Sequence, residues 1–463
     1  MKLSRRNMLR AIGATGIASV VSGRPAAAAI APKVRLEARP GTARLAPAEY
    51  EPTPIWGYDG GVPGPTIRVR QGERLDREFL NNLPQASTIH WHGVRIDNAM
   101  DGVPELTQAA VPPGARFDYG FTLPDAGTYW YHPHNRTWEQ LARGLYGALI
   151  VEEPDTPDVD RDEVLLIDDW RLTETAQIAE NFGAMHDWSH GGRIGNWITV
   201  NGDGYWTSDA RRNDRMRLRL VNPSNARIFN LSLKGLSGWV VALDGQPLSA
   251  PEPAGQLVLA PAQRVDLIVD VTADAGTEAS VVSHERGGSY AVAVFRIGKA
   301  TAERRTEDPA PLPANPVPET GPLKKARVAD LVMDGGAMGG MRSAMLNGTD
   351  TDIRTLVGQG KAWAFNGQAD MTDAPLLSAR TGETVRIRMD NRSRWPHAMH
   401  LHGHHFRQVF QEERMGPLRD TLLMQSGETA EIAFVADNPG DWLLHCHMVE
   451  HAVAGMMTWL KVS

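Results

Sequence analysis

Apolar positions along this chain fall in many short runs, and glycine, proline and asparagine punctuate them. That is the pattern of strands joined by turns. Residues 66–82 read as a strand, a Gln71-Gly72 turn and a second strand ending on Asn81-Asn82, and residues 363–368 are strand-like. Met216-Arg217-Leu218-Arg219-Leu220-Val221-Asn222 parallels Thr384-Val385-Arg386-Ile387-Arg388-Met389-Asp390-Asn391. After the N-terminal leader, no segment is long and apolar enough for a membrane helix.

The pattern repeats. Gly114, Phe121, Gly127, His132 and His134 align without a gap on Gly427, Phe434, Gly440, His445 and His447, so Pro133 stands where Cys446 stands. First and last domains read as copies of one β unit. A middle copy follows the Met216 strand. His90 lies eight residues past Asn82 and His400 nine past Asn391, whereas Asn230, Leu231 and Ser232 occupy the matching place after Asn222. The middle copy therefore lacks paired ligands, and its expected job is to hold the outer two in register.

Length supports that count, since 463 residues imply two or three domains, and 45 Gly with 31 Pro suit a turn-rich chain. Residues 152–160 and the proline-rich stretch 301–325 read as linkers. The expected domains are therefore 33–153, 154–300 and 326–463. Residues 1–31 read as an export signal: Ser4-Arg5-Arg6-Asn7-Met8-Leu9 resembles a twin-arginine motif, followed by a weakly apolar stretch and small residues at 26–31. Loss of its five cations takes the net charge from −7 to −12, which argues against nucleic acid as a partner. The mature protein is expected to be soluble and exported.

Candidate chemistry lies in four histidine motifs, which hold ten of the fifteen histidines. They are His90-Trp91-His92, His132-Pro133-His134, His397-Ala398-Met399-His400-Leu401-His402, and His445-Cys446-His447 with His451 and Met456. On a strand, His90 and His92 share a face. Cys446, the only cysteine, points away from His445 and His447. Imidazoles, one thiolate and a thioether are the ligand set of a blue-copper site. One thiolate could then serve such a site while its neighbours hold metals on the opposite face.

These motifs resemble those of the multicopper oxidases, the family of laccases and bacterial copper-efflux oxidases, over nearly the whole mature chain. The resemblance implies an all-β chain of three consecutive cupredoxin-like Greek-key β-barrel or sandwich domains. It also implies four copper ions. His397, Cys446, His451 and Met456 would hold the type 1 copper, and His90 and His400 the type 2 copper. His92, His132 and His447 would hold one type 3 copper, and His134, His402 and His445 the other. The cluster would then lie between the outer domains. Electrons from phenols, aromatic amines or Cu(I) would pass through Cys446 to reduce dioxygen to water, with Asp101 as proton relay and Asp420 supporting a blue-site histidine. The resemblance further implies transport by the twin-arginine export machinery to the periplasm. Ala452 departs from bacterial relatives that carry an acid there, and Ser393 and Trp395 replace a cuprous-site acid and methionine. Met333, Met338, Met341 and Met345, in a glycine-rich loop, are candidates for a substrate Cu(I) site. His186, His190 and His284 read as surface histidines, and His404 and His405 as packing residues. The competing readings are a copper-tolerance or copper-binding protein and a non-enzymatic scaffold on the same fold.

Overall fold

The computed structural model describes residues 34–463, so the expected export signal at 1–31 lies outside the described residues. One strand plan occurs three times. In the first copy Val34–Ala43 runs parallel to Arg74–Asn81, which pairs antiparallel with Arg116–Thr122. In the second the same relations join Arg161–Trp170, Arg215–Val221 and Arg264–Val271. In the third they join Arg327–Gly335, Thr384–Asn391 and Thr429–Val435. A second sheet repeats as well, pairing His90–His92 with Gly127–His132, Phe229–Lys234 with Glu278–Glu285, and His397–Leu401 with Gly440–Cys446. The two sheets of a copy bury their apolar faces together. In the middle copy, Leu218 and Leu267 of one sheet share a buried cluster with Leu231 and Val281 of the other.

A buried asparagine closes the same turn in each copy. The side-chain amides of Asn81, Asn222 and Asn391 each donate to two carbonyls, and each Oδ1 accepts the N–H two residues on. This corrects the register expected from sequence, because the first-copy equivalent is Asn81, while Asn82 is exposed and bonds Glu37. Counted from the buried asparagines, His90, Leu231 and His400 all stand nine residues on. They also pair alike: His90 opposite His132, Leu231 opposite Ser283, and His400 opposite His445.

Alternation explains Thr384–Asn391, where Val385, Ile387 and Met389 point inward and Arg388 is exposed. The parallel strand Arg215–Val221 is buried on both faces. Its arginines are covered and paired: Arg215 with Asp270, Arg217 with Asp266 and Glu153, and Arg219 with Asp162 and Asp266. Arg219 and Asp266 also bond Thr128 of the first copy, so this charged face is an interface with its neighbour. The proline-rich connector is likewise tied down, since Asn315 bonds the Ala126 backbone and Gln246. Among the described residues, no helix is long and apolar enough to cross a membrane.

Candidate metal centre

Strand pairing brings the motifs together. His90 and His132 are cross-strand partners in the first copy, as are His400 and His445 in the third. The two strand pairs then interdigitate, with the His90 ring 4.0 Å from that of His402 and the His92 ring 3.8 Å from that of His400. Donor atoms converge in three groups, each within 4.8 Å: His90, His92 and His400; His92, His132 and His447; His134, His402 and His445. The first and third copies both contribute to every group, so neither assembles a group alone.

The hydrogen bonds fix which nitrogens are free. The Nδ1–H groups of His90, His132, His400 and His445 donate to the carbonyls of Asp101, Pro133, Asp420 and Cys446 at 2.8 to 3.0 Å. His402 Nδ1–H donates to Asp101 Oδ2 at 2.9 Å. The Nε2 lone pairs therefore face inward. Burial, with the charge of neighbouring imidazoles, holds His92, His132, His402, His445 and His447 well below the ordinary histidine value and takes His134 to about 3. These rings are consequently neutral. His402 Nε2 lies 3.1 Å from His445 Nε2, and His132 Nε2 lies 3.4 Å from His447 Nε2. Two facing lone pairs repel, but two nitrogens on one cation at roughly 2 Å would sit about 3 Å apart. The buried atoms His90 Nε2, His400 Nε2, His447 Nδ1 and both His92 nitrogens have no hydrogen-bond partner. The residues therefore fit metal ions, and unmetallated they would leave costly unsatisfied groups.

A second focus lies on the other face of Gly440–Cys446. Cys446 Sγ is 3.6 Å from His397 Nδ1 and 3.8 Å from His451 Nδ1, and the two Nδ1 atoms are 3.1 Å apart. His397 Nε2–H donates to Ser393 Oγ at 2.8 Å and His451 Nε2–H to the His190 carbonyl at 2.6 Å, so both Nδ1 lone pairs face the sulfur. Burial takes His451 to about 4 and pushes the Cys446 thiol up to about 12. The thiol keeps its proton until a cation displaces it. Met456 is buried beside this focus, its backbone bonded to both His451 and Cys446.

Several expected placements change. Asp420 does not support a blue-site histidine. Its Oδ1 lies 3.4 Å from His92 Nε2 and 3.5 Å from His400 Nδ1, on the cluster side, while Ser393 and the His190 carbonyl hold the sulfur-side rings. Burial would raise the Asp420 carboxyl, but Arg264 and the two histidines overcome this and hold it well below the usual range. Arg264 comes from the middle copy, is fully buried, and grips Asp420 through two hydrogen bonds of 2.9 and 2.7 Å. No spacing in the sequence signals it. Nor do the four methionines form one loop site. Met333 is fully buried in the Arg327–Gly335 strand opposite Phe365, Met341 packs on a small core and Met345 lies in Ser343–Leu346. Only Met338 is strongly exposed, at 75%. Asp101, 1% exposed, does sit at the cluster, with Oδ1 3.2 Å from His90 Nδ1.

Comparison with known proteins points the same way. Three family models described as multicopper oxidase match residues 41–156, 161–300 and 346–463. The chain is 42% identical to Lac15 from a marine microbial metagenome, covering 93% of this chain and 100% of that one at a TM-score of 0.76. It is 33% identical to a multi-copper oxidase from Pseudomonas thermotolerans, covering 93% and 99% at a TM-score of 0.81. Multicopper oxidase MmcO of Mycobacterium tuberculosis is 29% identical over 99% of this chain and 96% of its own length.

Proposed function

This chain belongs to the multicopper oxidase family, and from that premise we propose that it is an exported, periplasmic oxidase that binds four copper ions. It takes electrons singly from phenols, aromatic amines and Cu(I), and reduces dioxygen to water. The observation that supports this most is the disposition of three consecutive residues. Cys446 Sγ faces His397 and His451, while His445 and His447 face the histidines of the first domain. One short peptide thus joins an electron-accepting focus to a multi-metal focus.

In this reading His397, Cys446, His451 and Met456 hold the type 1 ion, and His90 and His400 the type 2 ion. His92, His132 and His447 hold one type 3 ion, and His134, His402 and His445 the other. Copper so held supplies one-electron acceptance at the thiolate and four-electron reduction of dioxygen at the cluster. The protein's own groups do the rest. Cys446 and its peptide neighbours form the covalent path. The Asp101 carboxylate holds His402, and its backbone carbonyl holds His90, in the tautomer that leaves Nε2 free, and Oδ1, which makes no hydrogen bond, is the relay for protons. A cavity of about 130 Å³, lined by His132, His134, His445, His447 and Trp138, gives dioxygen access.

Oxygen uptake by the copper-loaded protein with a phenol and with Cu(I), side by side, tests the reading. Cys446→Ser is expected to abolish both the intense blue absorption and turnover. A colourless wild type carrying four coppers per chain in air would overturn it. Replacing Arg5 and Arg6 with lysine should leave the protein in the cytoplasm.

A further inference from the structure

Cys446, His397 and His451 are all fully buried, so a donor in solution touches none of them. Part of what covers them comes from the middle domain. The His190 carbonyl accepts the His451 Nε2–H at 2.6 Å. Two residues earlier the Trp188 carbonyl accepts from Trp363 Nε1–H at 2.6 Å, and the Trp363 ring packs on both His397 and His451. The Ser189 carbonyl accepts from Ala337 N–H at 2.6 Å, and the Ala337 carbonyl accepts from Trp395 Nε1–H at 3.0 Å. Gly192 lets the chain beyond pack tightly within its own domain, since a β-carbon there would lie 2.4 Å from Ala226 Cβ. Residues 188–190 are therefore fixed over the Cys446 site by three consecutive carbonyls.

From that cover a line of rings leads outward. The His190 ring lies 5.3 Å from the Trp395 ring and 4.1 Å face to face with His186, tilted by only 11°. The His186 side chain is 78% exposed. The carboxylate next in sequence, Asp187, is buried and held by Arg171 through hydrogen bonds of 2.8 and 2.9 Å, with its Oδ1 also 3.9 Å from His186 Nδ1. A flat imidazole face continues by stacking on another ring.

We infer that the stacked His186–His190 pair, with Trp395, is the docking face and electron port for planar aromatic donors. The donor stacks on His186. One electron passes by way of His190, whose carbonyl is hydrogen-bonded to His451, to the copper of the Cys446 site, with dioxygen as final oxidant. A phenol's O–H proton goes to solvent and the phenoxyl radical leaves. This rests on the oxidase reading above and deepens it by naming where the donor binds.

The test uses His186→Ala, His190→Ala and His186→Phe in the full chain. Two quantities are measured: 4-nitrophenol binding to copper-free protein by calorimetry, and anaerobic bleaching of the blue band by hydroquinone in copper-loaded protein. Either alanine variant is expected to weaken binding and slow bleaching about tenfold, roughly the worth of one good ring contact. His186→Phe should restore most of both, with copper content and reoxidation of prereduced protein by dioxygen unchanged. Unaltered binding and bleaching in both alanine variants would overturn the inference. So would a loss confined to Cu(I) oxidation, which would make the pair a cuprous site. A wild type that takes up no oxygen with any donor would fail the oxidase reading instead, while calorimetry on copper-free protein still decides whether the face binds aromatics.

Discussion

Where the outer domains carry His90-Trp91-His92 and His400-Leu401-His402, the middle domain carries Leu231-Ser232-Leu233, and opposite Leu231 it places Ser283 rather than a histidine. The frame around these positions is the same, down to the buried asparagine that closes each turn. In the middle domain Leu231 completes an apolar core. In the outer domains the equivalent positions leave buried nitrogens without partners, which is destabilising until metal binds. The middle domain has not left the chemistry, however. Arg264 fixes the carboxylate that touches His92 and His400, and the His190 carbonyl fixes His451. Its contribution has moved from ligand to holder.

Acid should expose this contrast most strongly. In the unfolded chain an imidazole takes up a proton below its ordinary value of 6.5, whereas folded His451 resists until about 4 and His134 until about 3. The unfolded state binds more protons across that window, so stability is full above about pH 6.5 and is lost as pH falls towards 4. Each such imidazole contributes roughly 3–5 kcal/mol. Copper-free protein should therefore unfold during a stepwise descent from pH 7 to 4, followed by circular dichroism, before copper-loaded protein does. Coincident acid transitions would break the contrast.

Arg264→Met comes next. It strands Asp420 as a buried charge, at a cost of about 3–5 kcal/mol. Cluster copper should fall while the blue band persists in whatever protein folds. Metal analysis showing a full complement would reduce Arg264 to a packing residue. Converting the first domain to the middle pattern sharpens the comparison from the other side. His90→Leu with His92→Leu should stabilise copper-free protein by about 1–3 kcal/mol per unsatisfied group removed, while abolishing the cluster's copper-dependent rise in melting temperature. Lower copper-free stability would mean the histidines pack better than their hydrogen bonding implies.

The smallest effect separates scaffold from site. Asn222→Ala and Asn391→Ala should each cost about 1–3 kcal/mol in denaturant unfolding. Only Asn391→Ala should perturb the blue absorption, because Asn391 Oδ1 accepts from the Ser393 hydroxyl that holds His397. Equal spectra in the two variants would separate the turn from the site.

The sequence by itself determined the strand plan, the threefold repeat, and that Cys446 points away from His445 and His447. Those follow from period-two alternation and fixed spacings, where a residue's neighbours are set by its own stretch of chain, whereas the meeting of His445 and His447 with the histidines of the first domain depends on docking. Even there Asn82 was the expected equivalent and Asn81 the real one, because adjacent asparagines differ only in which is buried. Tertiary structure alone decided what covers each face. Arg217 and Arg219 align with Arg386 and Arg388, yet the first pair is sealed against the first domain while Arg388 remains exposed. Met333, in a glycine- and methionine-rich stretch, became core because its strand runs beside Thr384–Asn391. The links Arg264–Asp420 and His190–His451 span 156 and 261 residues. No local period encodes such pairs, since their energies depend on how separately folded sandwiches dock, and docking brings together residues that share no stretch of sequence.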